Sequence, residues 1–402
     1  MHALRLSALL AAVLLSISRP GHAQVTPGLN ALFEQAWQRS VAGRSQSARA
    51  QEVEAIQARS RNWLANAPVL GHSQRSDRWS DAKGEKETET SLAATLYLPS
   101  QVNARRLHAD RSRDVVVAQL ASARLELAGE LRKRFWDAAA AQALLDERGN
   151  HLKYTGELAD EVTRRVAAGD LARSDSLLAQ QELATARILA MQADSALRAA
   201  QAQLQLLTAS TALPAAVPEA LADRVPAPHP RLSVSAAAEQ QADAALQLTQ
   251  AERLPNPTLS LALRREQEAR FAMPERSVGI AVHIPLGSAG RNRVAEAQAL
   301  AQKAATGTEH ALLAQEISAM QALSRARLAN ARTALAAAEQ RDAAMREYSQ
   351  LIQKAFRLGE RGLAERLRAQ TLAHEAAIAL RQQQIDVGRA HAEYNQASGV
   401  LP

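Results

Sequence analysis

FRLGERGLAERLRAQTLAHEA, Phe356 to Ala376, sets a Gly in a short polar turn and follows it at once with an Ala/Leu-rich helical pattern. VAAGDLARSDSLLAQQELATA, Val166 to Ala186, repeats the design. With Gly169 set against Gly359, Leu177 aligns with Leu367, Ala179 with Ala369, Gln180 with Gln370 and Ala186 with Ala376. The acids Asp175 and Glu365 coincide too, each six residues beyond its Gly. Ala-rich sequence inflates such matches, so the weight comes from the segments before each turn, which also correspond. The chain reads as two copies of one unit.

Working outward from the turns, a helical pattern runs almost unbroken from Pro99 to Ala168, with Gly149 and Gly156 as candidate bends, and a second from about Val294 to Leu358. At 1.5 Å per residue each would be on the order of 100 Å long, far beyond a globular helix, which points to a coiled-coil-like or tubular object. Each is followed by its Gly turn and a returning helix, to about Leu207 and to Ser398. Ahead of each long helix the periodicity drops to two. In the second copy Leu259, Leu261 and Leu263 alternate with Ser260 and Ala262, then Val278, Ile280, Val282 and Ile284 alternate with Ser277, Gly279, Ala281 and His283. In the first copy Leu92, Ala94, Leu96 and Leu98 alternate with Ser91, Ala93, Thr95 and Tyr97, after the charged loop Trp79–Glu89; Val69 to Arg78 is a weaker, polar strand candidate. Pro99 and Pro285 end these hairpins, and Ala67-Pro68 and Leu254-Pro255 end the helices before them, which span about Leu29–Asn66 and Leu232–Arg253.

The chain therefore divides into residues 1–23, a signal peptide; 24–208, the first repeat; 209–230, a linker in which Pro214, Pro218, Pro226, Pro228 and Pro230 forbid continuous helix; and 231–402, the second repeat. Arg5 precedes the apolar run Leu6–Ile17, and Gly21-His22-Ala23 offers a cleavage site, so export across a bacterial inner membrane is expected. The chain has no Cys, hence no disulfide, no thiolate metal site and no lipid anchor on a Cys. The net charge of +7 is spread among acids, and aromatics make up only 3%. That is solvated helix surface rather than a nucleic-acid footprint. Apolar residues reach 47%, but much of this is Ala, which suits helices packed closely side by side.

Strands of about ten residues, apolar on one face and small or polar on the other, suit a barrel wall between lipid and water. Four cannot close a useful pore alone, so oligomerisation is expected to complete the barrel and remove its edges.

In this duplicated layout, in the junction HIPLGSAGRNRVAEA (His283 to Ala297) and in the turns GDLARSD and GERGLAE, the chain resembles the TolC-type outer-membrane efflux proteins over essentially its whole mature length. The short length and the paired Arg291 and Arg293 look most like the heavy-metal, CzcC-like branch. The resemblance implies a mainly α fold with a small β part: a homotrimer whose four strands per chain close one barrel in outer-membrane lipid of a Gram-negative bacterium, continued by a long periplasmic helical tunnel. It further implies as partners a periplasmic adaptor (membrane fusion) protein and an inner-membrane transporter of the resistance-nodulation-division (RND) class. The channel is then a passive exit duct, not an enzyme, and needs no cofactor; no GxxxxGK[ST] motif is present.

Gly169 and Gly359 would form the hairpin tips presented to the adaptor. By resemblance Glu365 matches an entrance-lining acid and Arg361 a residue that ties the closed entrance to a neighbouring helix, with Asp175 as the expected carboxylate partner of Arg361. Repeated in a trimer, such acids would make a carboxylate ring favouring cations; as plain helix-start acids they complement the helix dipole. The family's second acid, nine residues past the Gly, is missing: Leu178 and Arg368 stand there. The His residues are dispersed, with no HxxxH or HExxH spacing, and no metal site is assigned. Two other readings stay open: a duct for drugs or secreted polypeptides with the same fold, and a soluble periplasmic coiled-coil scaffold.

Overall fold

The computed structural model describes residues 28–80, 83–221, 228–286 and 289–402. The signal segment, linker residues 222–227 with Pro226, and Gly287-Ser288 with the Arg291 side chain lie outside this part. The elements run α1 (Leu29–Arg39), α2 (Val41–Ser60), β1 (Val69–Ser76), β2 (Lys86–Thr95), α3 (Pro99–Ala167), α4 (Arg173–Thr208), α5 (Pro230–Ala251), β3 (Thr258–Gln267), β4 (Glu275–His283), α6 (Ala289–Arg357) and α7 (Leu363–Ala397). The long helices α3 and α6 are 69 residues each, and their returning partners α4 and α7 are 36 and 35. No helix among the described residues is long and apolar enough to cross a membrane.

The helices pack as two antiparallel hairpins, α3/α4 and α6/α7, which meet along α3 and α7. Nearer the sheet the same long helices are flanked instead by α2 on α3 and by α5, which touches both α3 and α6. Small residues set the spacing. A Cβ on Gly388 of α7 would lie 2.0 Å from the ring of Trp136 on α3, so the indole fits only because Gly stands opposite it. Ala179 and Ala369, matched in the two repeats, are both 1% exposed, and Ala186 and Ala376 are equally deep. Ala lets the helices approach closely, as its abundance in the sequence leads one to expect.

Several expectations need correction. The first helix is broken at Ser40, whose hydroxyl accepts from the Gly43 N–H (2.9 Å) and donates to the Trp37 carbonyl (2.8 Å). The break turns α1 so that Leu32, Phe33, Ala36 and Trp37 are buried. Gly149 and Gly156 do not interrupt α3, which is continuous through both. The weak first strand is real and ends at Ser76, and β2 takes in Lys86–Glu89 from the supposed loop, because a full ladder with β1 and β3 satisfies that backbone. Pro230 does not delay the second copy: it is the first residue of α5, where its missing N–H costs nothing.

The linker is not a plain spacer either. Its Glu219 meets the buried Arg132 of α3 in a two-armed ion pair (2.9 and 2.7 Å), and the same guanidinium donates to Gln396 (2.7 Å) and to the Val400 carbonyl (2.9 Å). Asn395 donates to Glu219 as well. One charge thus holds the linker and the C-terminal end against the middle of α3.

Candidate channel wall and tunnel entrance

The four strands form one antiparallel sheet in the order β1-β2-β3-β4. Its register aligns the apolar residues into rows. Leu70 faces Leu92, Leu92 faces Leu261, and Leu261 faces Ile280. The adjoining rows are Ala94-Leu259-Val282 and His72-Thr90-Leu263-Val278. Directly opposed residues share a face, so one face of the sheet is an apolar wall. It is open: Ile280 is 75% exposed, Leu70 73% and Leu263 55%. The other face carries Val69-Ala93-Ser260-Ala281, Gly71-Ser91-Ala262-Gly279 and Thr95-Thr258-His283, mostly small residues with a few polar ones, the Thr95 and Thr258 hydroxyls 3.1 Å apart. Among the described residues β1 has no partner beyond β2 and β4 none beyond β3, leaving both sheet edges open.

At the far end of the helices the two Gly turns are built alike. Gly169 (φ +87°) and Gly359 (φ +77°) adopt the left-handed conformation that a Gly accepts without cost. In the first turn the N–H of Gly169 donates to Val166 (3.1 Å) and that of Asp170 to Arg165 (2.9 Å); in the second Gly359 donates to Phe356 (3.1 Å) and Glu360 to Ala355 (2.9 Å). This paired closure satisfies the last carbonyls of each long helix.

The acids beyond the turns do different things. Asp175 folds back on its own helix start, its carboxylate accepting from the Ala172 N–H at 3.2 Å. Glu365, in the first turn of α7, instead takes a charge-assisted bond of 2.8 Å from Arg361, which lies in the turn just ahead of that helix. The expected Arg361–Asp175 pair is therefore not formed within the chain, because Arg361 finds a carboxylate four residues away and Asp175 is occupied by backbone. What ties the tips together was not anticipated: Arg366, only 4% exposed, reaches Glu161 of α3 at 3.0 Å. Its guanidinium also lies over the Phe356 ring (4.8 Å), with Arg165 over the same ring (5.0 Å). Around Phe356 and Leu363 gather Leu158, Ala159, Val162 and Ala179, so both hairpins share one small core at the tip. The signal in the sequence was Phe356 itself, one of four Phe in the chain, three residues before the Gly.

The fold also gathers two of the dispersed His. His151 of α3 and His374 of α7 stack at 4.1 Å, and Arg148 lies 3.2 Å from His374 Nε2. Burial, then the charges of His151 and Arg148, hold His374 down to about 4, and burial and Arg148 also lower His151. Both rings are thus disfavoured in their charged form. Among the described residues no group of three or more His, Cys, Asp or Glu side chains is placed to hold a metal ion.

No protein-family model matches the chain. It is 26% identical over 234 residues to the cobalt-zinc-cadmium resistance protein CzcC of Cupriavidus metallidurans, covering 54% of this chain and 56% of that protein. The chain thus spans little more than half the length of this curated relative. Among solved structures it resembles the outer membrane protein VceC of Vibrio cholerae (TM-score 0.74, 16% identity, 92% of this chain and 96% of that one). It resembles equally the Campylobacter jejuni CmeC outer membrane channel (TM-score 0.74, 12% identity, 92% and 85%). The chain has the TolC-type outer-membrane channel fold. These relatives are channel and resistance proteins rather than enzymes.

Proposed function

We propose that the protein is the outer-membrane exit duct of a tripartite efflux system, working as a homotrimer with a periplasmic adaptor and an inner-membrane RND transporter and passing heavy-metal cations. The observation that carries this reading is the sheet: an apolar row crosses all four strands on one exposed face, flanked by rows apolar on β3 and β4, while both edges stay unpaired among the described residues. Such a surface is unfavourable in water and favourable in lipid, and three copies joined edge to edge leave no open strand. The bore-facing row of Gly and Ser leaves room for solutes, and the ~100 Å helices reach deep into the periplasm. The heavy-metal cargo is supported by the likeness to CzcC over part of the chain. Gly169 and Gly359 are then the adaptor contacts, and Asp175, Arg361 and Glu365 the entrance residues.

The test is to fractionate cells, extract the outer membrane in detergent and image the particles. A detergent-requiring trimer with a short barrel and a long tube is expected; a soluble periplasmic monomer or dimer overturns the duct. Ile280→Lys on the lipid face should cost about 2–4 kcal/mol of insertion, read as loss of the heat-resistant trimer from outer-membrane fractions. Normal recovery of this variant would mean that the face never meets lipid.

A further inference from the structure

The register also sorts the charges at the loop end of the sheet by face. Lys86 stands opposite Ser76 and Gln267; Arg265 stands opposite Thr88 and also opposite Arg276. Steps of two along each strand put Lys86, Arg265 and Arg276 on the face of Leu92, Leu261 and Ile280. The strand carboxylates take the other face: Glu87 opposes Glu266, Glu266 opposes Glu275, and Glu89 opposes Arg264. There the charges neutralise one another, Arg264 lying 2.9 Å from Glu87 and 3.2 Å from Glu266, with Arg75 3.8 Å from Glu87. On the apolar face no carboxylate shares the rows of the three cations. All three are exposed, and among the described residues none has an ion-pair partner.

Two features make this more than a solvated rim. Arg265 and Arg276 are direct cross-strand partners, and like charges so placed repel and destabilise the ladder unless an anion sits between them. The next row along, Leu263 and Val278, is already apolar wall. A ligand meeting both would have an anionic head and an apolar body. The strand that would close the barrel against β4, β1 of the next protomer, brings His72, Gln74 and Ser76 on this face and no carboxylate.

We infer that Lys86, Arg265 and Arg276 form a binding site for a phosphate-bearing lipid headgroup of the leaflet around the loop end of the barrel, with its acyl chains along Leu263, Val278 and Ile280. The planar guanidinium forks suit phosphate oxygens, which also relieve the Arg265–Arg276 repulsion. The inference rests on the barrel reading above, and a trimer would carry the site three times.

The full-length trimer and a K86Q/R265Q/R276Q variant would be purified and inserted into phosphatidylcholine vesicles with or without the bisphosphorylated glycolipid lipid A. Protein-bound lipid would be counted by native mass spectrometry after extraction, and trimer melting followed with and without lipid A. The wild type should retain lipid A and melt higher in its presence. The variant should retain at least tenfold less and gain nothing. In neutral detergent it should melt no lower than the wild type, since it has lost a repulsion. Glu266→Gln with Glu275→Gln, on the opposite face, should leave retention unchanged. Equal retention by variant and wild type, or equal stabilisation of the wild type by inorganic phosphate alone, would overturn the lipid site. Failure of the wild type itself to enter vesicles would overturn the barrel reading instead. If the triple variant does not assemble, R265K/R276K, which keeps the charges but loses the guanidinium forks, should assemble and retain less lipid A than the wild type, and retention equal to the wild type would count against the site.

Discussion

Helices α3 and α6 hold the same place in the two repeats and have the same length, yet one lies inside the chain and the other along its flank. α3 is packed by α1, α2, α4, α5 and α7, and buries Leu125, Leu131, Phe135, Trp136 and even Arg132. α6 touches α5 and α7 and leaves Leu312 60%, Leu351 60% and Leu323 51% exposed. Both are written in the same Ala/Leu alphabet, so composition does not set the difference. Position does: the α3/α4 and α6/α7 hairpins meet through α3 and α7, which leaves α6 as the outer element. An apolar stripe along such a helix is what a neighbouring protomer would cover, in keeping with the proposed homotrimer.

The contrast is most easily broken at Arg132. Because its guanidinium is buried on α3 and serves Glu219, Gln396 and Val400 together, Arg132→Ala should cost about 3–5 kcal/mol by leaving the Glu219 carboxylate unpaired. Thermal melts of the detergent-solubilised protein followed by circular dichroism would read it; a loss below 1 kcal/mol, on the order of an exposed pair, would mean that α3 is no more central than α6. The stacked His151 and His374 give the next largest effect. A His held neutral in the fold binds fewer protons than the unfolded chain does, so stability is complete above about pH 6.5 and falls as pH drops toward the His374 value of about 4. The loss is roughly 3 kcal/mol at most. Melting should fall between pH 7 and pH 4.5 more steeply in the wild type than in His374→Gln, and parallel slopes would remove the pair from the acid response.

Much of this was legible beforehand, and the exceptions share a cause. The 69-residue helices, the Gly turns and the alternation of Val278 to Ile284 are local signals, set by backbone preference and by side-chain period, and a single stretch of chain carries them. The polar strand β1 and the Lys86–Glu89 end of β2 were under-read because ladder bonding to a neighbour, not their own residues, holds them extended. The break at Ser40 was missed because Gly43 and Ser40 look ordinary until the Trp37 carbonyl is placed between them. The tip tie between Arg366 and Glu161 joins residues 205 apart, and the stacking of His151 on His374 is equally non-local. Face assignments in the sheet needed only parity, whereas which helix flank is covered needed the packing.

The tips sharpen the comparison at the small end of the scale. Removing Arg366, the buried tie between α7 and α3, should cost about 1–3 kcal/mol, since Glu161 loses its partner and Phe356 a covering guanidinium. Limited proteolysis across Leu358–Gly362 should then accelerate, and an unchanged cleavage rate would mean that the tips are held by apolar contact alone. Arg361 sits one turn outward and is half exposed, so its bond to Glu365 contributes only about 0.3–0.5 kcal/mol. Arg361→Ala should therefore leave melting unchanged. If the turn is the mouth of a tunnel, the same substitution must act on the ions passing it: unpairing Glu365 in each protomer exposes three carboxylates, raising single-channel conductance and cation preference in planar bilayers. Glu365→Gln in the same background should reverse the preference. Conductance that follows neither substitution would reduce Arg361 and Glu365 to the i,i+4 pair of an ordinary helix start, and leave the entrance to be sought deeper, near Arg366 and Phe356.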